Sequence, residues 1–375
     1  MNVFMASVGN TVSGRKVELT FVDSQGQPDA ALTKARELVD NQHVNLLMGF
    51  NNTPECTAAA QYIQTAHVPL IVSSNCGAQT LMTDARFKSP YLIRLTQTAT
   101  QFDDPAADWA YKNGKRKAII IASDYGGGTE TSDLLGSAFV QRGGAIVQEM
   151  HPPLGTTDFG PFLAQLSADA DVLFLFTPGI DSLRFVQQYG TYASNKLQIV
   201  DISGATFGPN LAQLKDQALG LVGSYPYSEA YQAPENATML AAFHKTFPDR
   251  VVSGDFAQGY SAAQVVAADI QKINGRVEQT QDFLNALYAT DVQTAKGEIK
   301  LDQDHDIVEN AYIWLIEKQG QGVGPKLLDT YKSISPMWDR SPDGLQKLAP
   351  GSRKGQWVGM TQQKLQDLIG PPKLP

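Results

Sequence analysis

A chain of 375 residues with 42% hydrophobic and 18% charged residues is long enough for two or three domains with sizeable cores, and its composition fits neither a disordered nor a fibrous chain. Its 30 Lys and Arg against 38 Asp and Glu leave a formal charge of −8, which argues against a binder of nucleic-acid phosphates. No apolar run approaches the roughly 18 residues that span a bilayer, and the opening MNVFMASVGNTVSGRK has no basic head followed by an apolar core.

Strand-like apolar runs at 17–23, 44–50, 70–74, 118–124, 146–151, 172–178 and 197–203 alternate with amphipathic, helix-like stretches at 29–41, 54–66, 103–113, 129–142, 159–168 and 180–192. Strands without polar alternation are expected where both faces of a parallel sheet are covered, and the beat predicts βαβ units in a doubly wound α/β architecture. The beat breaks around 91–102 and again around 221–227, where an apolar run ends on Tyr-Pro-Tyr before helices near 238–247 and 255–273. Antiparallel-looking pieces follow at 297–302 and 311–318, joined by the acidic DQDHDIVEN. These breaks predict crossings between two lobes. The Gly-, Pro- and Lys-rich tail after about Pro350 reads as a surface extension or lid.

In open α/β sheets ligands sit beyond the carboxyl ends of the strands. The residues there, 49–53, 73–77, 123–128, 177–179 and 203–206, are mostly small hydroxyl, amide and glycine residues. Thr53-Pro54 has the pattern of a helix cap followed by proline at the first helical position. Hydroxyls beside helix N-termini suit a carboxylate, although any one such loop is also explained by plain capping. Five on one sheet edge favour a site for a small anion or zwitterion.

Catalytic signals are weak. Gly126-Gly127-Gly128-Thr129 lacks the Lys-Ser/Thr ending of a P-loop and reads as a tight turn before a helix. Gly259-Tyr260-Ser261-Ala262-Ala263 resembles a nucleophile elbow with its last glycine replaced, but it sits in an Ala-rich helical stretch. The five histidines are scattered, and no metal site is expected. Asp302, Asp304 and Asp306 lack the glycine and distal glutamate of a calcium loop.

The segments GRKVELTFVDSQGQPDAALTKARELVDNQHVNLLMGF and NNTPECTAAAQYIQTAHVPLIVSSN are followed in order by SPYLIRLTQTATQ, KAIIIASDYGGG, TTDFGPFLAQLSADADVLFLFTPG, GDFAQGYSAAQVVAADI and KGEIKLDQDHDIVENAYIWLIEK. Together, over roughly residues 14–340, this series resembles the Leu/Ile/Val-binding-protein-like branch of the type I periplasmic solute-binding proteins of ABC importers. The resemblance implies an α/β periplasmic binding protein type I fold: two doubly wound, Rossmann-like lobes, joined by a three-segment hinge and closing around a ligand. Lobe I would comprise 1–97 and 227–303, lobe II 98–226 and 304–350, with a C-terminal extension at 351–375 and crossings near 94–98, 225–228 and 302–306. It further implies a periplasmic, non-enzymatic monomer without cofactor or metal, which serves a membrane permease and binds no nucleic acid. Family members begin with a strand before the first helix. Residues 1–8 look like the end of that helix, so a truncated start, and a gap in the sheet of lobe I, are expected.

By position, the resemblance places Thr53, flanked by Asn51 and Asn52, where a hydroxyl meets the ligand carboxylate. Ser74, Asn75 and Cys76 fall in the next loop, where Cys76 replaces a threonine and is a weaker hydrogen-bonder. Tyr125 matches an aromatic residue from lobe II. Thr177, Pro178 and Gly179 lie near a second aromatic position that is absent here. Ser203 stands about where amino-acid binders keep an acid for the ammonium, with Asp124 or Asp201 as substitutes. A retained carboxylate site with a weakened ammonium site predicts a small carboxylate with an aromatic or apolar body, with branched-chain amino acids next. Cys56 and Cys76 follow neighbouring strands and would pair in an oxidising compartment. Two other classes stay open: a hydrolase on the same scaffold using Ser261, and a ligand-sensing regulatory subunit.

Overall fold

The computed structural model describes residues 1–50, 52–74, 76, 81, 82 and 84–371, and the chain divides into two units, Met1–Thr98 with Tyr231–Asn310 and Ala99–Ala230 with Ala311–Pro375. Unit one opens with α1 (Asn2–Ser7) and a hairpin of β1 (Thr11–Val12) and β2 (Arg15–Lys16), then α2 (Pro28–Arg36) with a π-helical continuation at Glu37–Asn41. It continues through β3 (Leu47–Gly49), α3 (Thr53–Ala66), β4 (Leu70–Val72) and β5 (Leu92–Arg94). Unit two takes α4 (Thr100–Lys112), β6 (Lys117–Ala122), α5 (Gly126–Gln141), β7 (Ala145–Met150), α6 (Gly160–Leu163), β8 (Val172–Phe176), α7 (Ile180–Tyr192), β9 (Gln198–Asp201), α8 (Gly208–Leu214) and β10 (Val222–Tyr225). The chain returns to unit one for α9 (Pro234–Thr246), α10 (Gly254–Lys272), α11 (Thr280–Tyr288), β11 (Asp291–Thr294), β12 (Gly297–Leu301) and the start of β13 (Ile307–Gln319). The rest of β13, β14 (Gly322–Ile334), α12 (Pro342–Leu348) and α13 (Gln362–Ile369) belong to unit two.

In unit one, β3, β4 and β5 run parallel. Alternate residues of β4 and β5 face opposite covers. Leu70, Val72 and Leu92 pack with Cys56, Ala59, Ala60 and Ile63 of α3, whereas Ile71 and Ile93 pack with Ala262 and Val265 of α10 and Phe283 and Leu287 of α11. Both faces are covered, which is why these strands read as continuous apolar runs. In unit two the order is β7-β6-β8-β9-β10-β13, parallel up to β10 and antiparallel at β13. Ile120, Phe174, Val200 and Val222 from this sheet join Leu134, Phe139 and Trp357 in one core. Among the described residues, no helix is long and apolar enough to cross a membrane.

Four expectations are corrected. Among the described residues, 17–23 enter no ladder: Val17 N–H bonds Asn10 O, and Leu19, Phe21 and Val22 are 39, 64 and 40% exposed. Alternating side chains describe a strand, but a ladder also needs a neighbouring edge, and among the described residues β3 pairs only with β4. The helix expected at 159–168 shrinks to the four residues of α6. The last passage between units falls after Asn310 rather than at 303, because Asp306 and Glu309 are ion-paired to Arg94 and Lys296 within unit one. The tail is no lid, since Trp357 is fully buried and its Nε1–H donates to Asp133 (2.7 Å). There it packs where a Cβ on Gly136 would come within 2.4 Å of the indole.

Candidate functional site

In unit one the candidate groups follow β3 and β4. The cap of α3 is Asn52, not Thr53: its Oδ1 accepts the Glu55 N–H (3.0 Å) and its Nδ2 donates to Gly26 O (3.2 Å). Thr53 therefore occupies the first helical position and Pro54 the second, which leaves the half-buried Thr53 hydroxyl out of the capping. Ser73, next after β4, is 3% exposed and its Oγ has no hydrogen-bond partner among the described residues. Ser74 is half-buried beside it. Asn51 and Asn75 lie outside the described residues.

Cys76 corrects its expected role. It is fully buried and joined by a disulfide to Cys56, with the Cα atoms 6.5 Å apart. A disulfide sulfur has no proton to donate, so the side chain serves as a tie and not as a ligand group. It brings the loop after β4 against the first turns of α3.

In unit two the groups follow β6, β8 and β9. Ser123 and Thr177 sit in neighbouring register just past β6 and β8, with Ser123 N–H donating to Phe176 O (2.9 Å). Both side chains are fully buried, and among the described residues neither hydroxyl has a hydrogen-bond partner. Orphaned hydroxyls are uncommon inside a protein, and both of these fall at the carboxyl ends of parallel strands, the edge where open α/β sheets generally take ligands. Tyr125 stacks on Phe176 (centroids 6.4 Å apart, planes at 13°), and burial with nearby Glu130 pushes its phenol up to about 12, so it stays a neutral hydroxyl. A second aromatic group, Phe102, Tyr225 and Phe207, follows from α4, β10 and the loop before α8.

The three glycines after Tyr125 begin α5 itself rather than a turn before it. A side chain at Gly128 would place its Cβ 1.9 Å from Ser123 O, so only glycine lets this helix start so close to the strand end. Asn210 Nδ2 bonds both Gly179 O (3.0 Å) and Gly204 O (3.3 Å), tying the Pro178-Gly179 loop to the loop that carries Ser203. Gly179 has φ +67 and leads into α7.

The two acids suggested as ammonium partners are both engaged. Asp201 is buried, and its carboxylate accepts four bonds: from Ser203 N–H (3.0 Å) and Oγ (2.7 Å), and from Thr206 N–H and Oγ1 (both 2.9 Å). That fills its lone pairs and takes up the Ser203 hydroxyl proton as well. Asp124 is ion-paired to Lys354, which holds its carboxyl below the ordinary range.

Ser261 lies inside the 19-residue α10, fully buried, not on the strand-to-helix turn that an exposed nucleophile requires. Asp302 Oδ1 accepts the N–H groups of Asp304 (2.9 Å) and Asp306 (3.0 Å), and so closes a turn. The sequence reading includes Ser73 and Ser123 in its strand-end loops but does not single them out as site residues. Each is the first hydroxyl after an apolar strand run, and that position was the available signal.

Both units thus carry parallel α/β sheets with hydroxyls and helix starts beyond their strand ends, and unit two adds aromatic rings there. The chain belongs to the periplasmic binding protein family, whose model matches residues 3–321. It is similar to "Leu/Ile/Val-binding protein homolog 6" of Brucella melitensis, at 27% identity over 86% of this chain and 83% of that protein. It is also similar to an ABC transporter substrate-binding protein from Sphaerobacter thermophilus, at 30% identity and a TM-score of 0.81, covering 88% of this chain and 91% of that one. A solute-binding protein of an ABC transporter from Rhodopseudomonas palustris BisB5, solved with 3,4-dihydroxybenzoic acid, is 29% identical with a TM-score of 0.79 over 89% and 91% of the two chains. The fold is therefore that of a type I periplasmic binding protein, and the chain is a substrate-binding protein of an ABC transporter.

Proposed function

We propose that this chain captures a small carboxylate with an aromatic or apolar body in the periplasm and hands it, as a monomer, to a membrane permease. Unit one would supply Asn51, Asn52, Thr53, Ser74 and Asn75 for the carboxylate. Unit two would supply Tyr125, Thr177, Pro178, Gly179 and Ser203 around the body, with Ser123 added. The observation that carries the ranking is Asp201. Its oxygens are consumed by its own loop, which leaves Asp201 no capacity for an ammonium, and Asp124 is already ion-paired to Lys354. An ammonium buried without such a partner is strongly disfavoured. The likeness to a dihydroxybenzoate-bound protein supports the same ranking, and the likeness to a Leu/Ile/Val-binding homologue keeps branched-chain amino acids second.

The test is a thermal-shift screen of benzoate-class acids against leucine, isoleucine and valine. A ligand at a hundred times its Kd stabilises by about 2.7 kcal/mol. An aromatic acid should raise the melting temperature, and Ser261→Ala should leave that rise intact. A rise with leucine or valine and none with aromatic acids would overturn the ranking. Turnover of any bound compound that Ser261→Ala abolished would overturn the receptor reading.

A further inference from the structure

Cys76 is gripped at both ends. Its sulfur is bonded to Cys56 in the first turn of α3, and its carbonyl accepts a hydrogen bond of 3.3 Å from Arg94 Nη1. Arg94 closes β5 and is fully buried. Its Nε donates to Asp306 Oδ1 (2.7 Å) and its Nη2 to Asp306 Oδ2, a two-pronged pairing, while its backbone N–H donates to His305 O (3.0 Å). One guanidinium thus joins three segments of unit one: the end of β5, the loop after β4 and the turn before β13. That turn is itself fixed by Asp302.

We propose that Arg94 is a positioning residue for solute binding: acting through the Cys76 carbonyl, and together with the disulfide, it holds Ser74 in place relative to Thr53. This rests on the reading above that those two residues meet the carboxylate. A loop ordered before the solute arrives loses little freedom on binding, so the tether contributes affinity without touching the solute. The role needs the planar fork of arginine. A lysine ammonium retains the charge opposite Asp306 but cannot address both carboxylate oxygens and the carbonyl at once. Arg94 is also the residue whose loss the sequence would not flag, because it lies in YLIRLT among strand residues.

The experiment compares the parent chain, Arg94→Lys and, should that variant fail to fold, Asp306→Asn. It reads three quantities: calorimetric Kd for the best-bound acid, unfolding midpoint, and amide exchange across residues 70–76. The expected result is a rise in Kd of about tenfold, the size of one lost polar tether, with faster exchange confined to residues 70–76. A purely structural role would lower the unfolding midpoint and leave Kd unchanged, and that result would overturn the proposal. If the parent binds none of the acids or amino acids, the proposed function fails. Exchange then decides the positioning role alone: loosening at residues 70–76 supports it and unaltered exchange overturns it.

Discussion

The two units build sheets of the same kind from ladders of different length. Unit two has five parallel strands of four to six residues, while unit one has a parallel sheet of three strands of three residues and a segment at 17–23 that joins no sheet among the described residues. Unit two stitches itself together with side chains from far along the sequence. Arg340 is buried across Asp104 (2.5 and 2.7 Å), Ser137 Oγ (2.9 Å) and Leu134 O (2.9 Å). Unit one has a disulfide and the Arg94–Asp306 pair in the corresponding role, both placed beside its candidate carboxylate loops. Where backbone pairing is short, a disulfide is added to an ionic tie, and both sit close to where a solute would be received.

This contrast can be broken at three points. Phe174 of β8 is fully buried in the core of unit two, and Phe174→Ala should cost about 3–5 kcal/mol in denaturant unfolding, the range for large core truncations. An effect below about 1 kcal/mol would mean that the longer ladders do not organise that unit. Reducing the disulfide, which spans 20 residues of sequence, should destabilise unit one by about 3 kcal/mol. Amide exchange should quicken in α3 and β4 while β6 and β8 stay protected. Equal loss of protection in both units would erase the distinction. Phe21→Ala, at a side chain 64% exposed in the unpaired segment, should change stability by less than about 0.5 kcal/mol. A larger loss would show that residues 17–23 are packed in solution and that the two sheets differ less than described.

Much of the architecture was legible because parallel strands covered on both faces leave an unmistakable trace. KAIIIA and VLFLF needed no partner information to be read as β6 and β8, and IDSLRFVQQYGTY matched α7 at both ends. The segment VELTFVD carries the same trace and yet forms no ladder, because side-chain pattern records what each face wants to touch and is silent about the neighbouring edge. At the candidate site the strand-end loops were legible from their hydroxyls and glycines. The division of labour within them was not: Asn52 and Thr53 compete for one cap, and only the observed bonds show that the amide takes it. Asp201 likewise looked available until the folded loop brought Ser203 and Thr206 onto it. The tail misled for a compositional reason, since one buried tryptophan outweighs the surrounding Gly, Pro and Lys.

That tail also sets where the molecule can be shortened. Gly351 and Arg353 donate their N–H groups to Asp133 (2.8 and 3.0 Å), Gly355 donates to Glu149 (2.9 Å), and the indole of Trp357 completes the floor on which α5 rests. An exopeptidase working inward through α13 would meet costly residues from there to Arg340. Cutting at residue 350, where composition alone would place the knife, would uncap the centre of unit two.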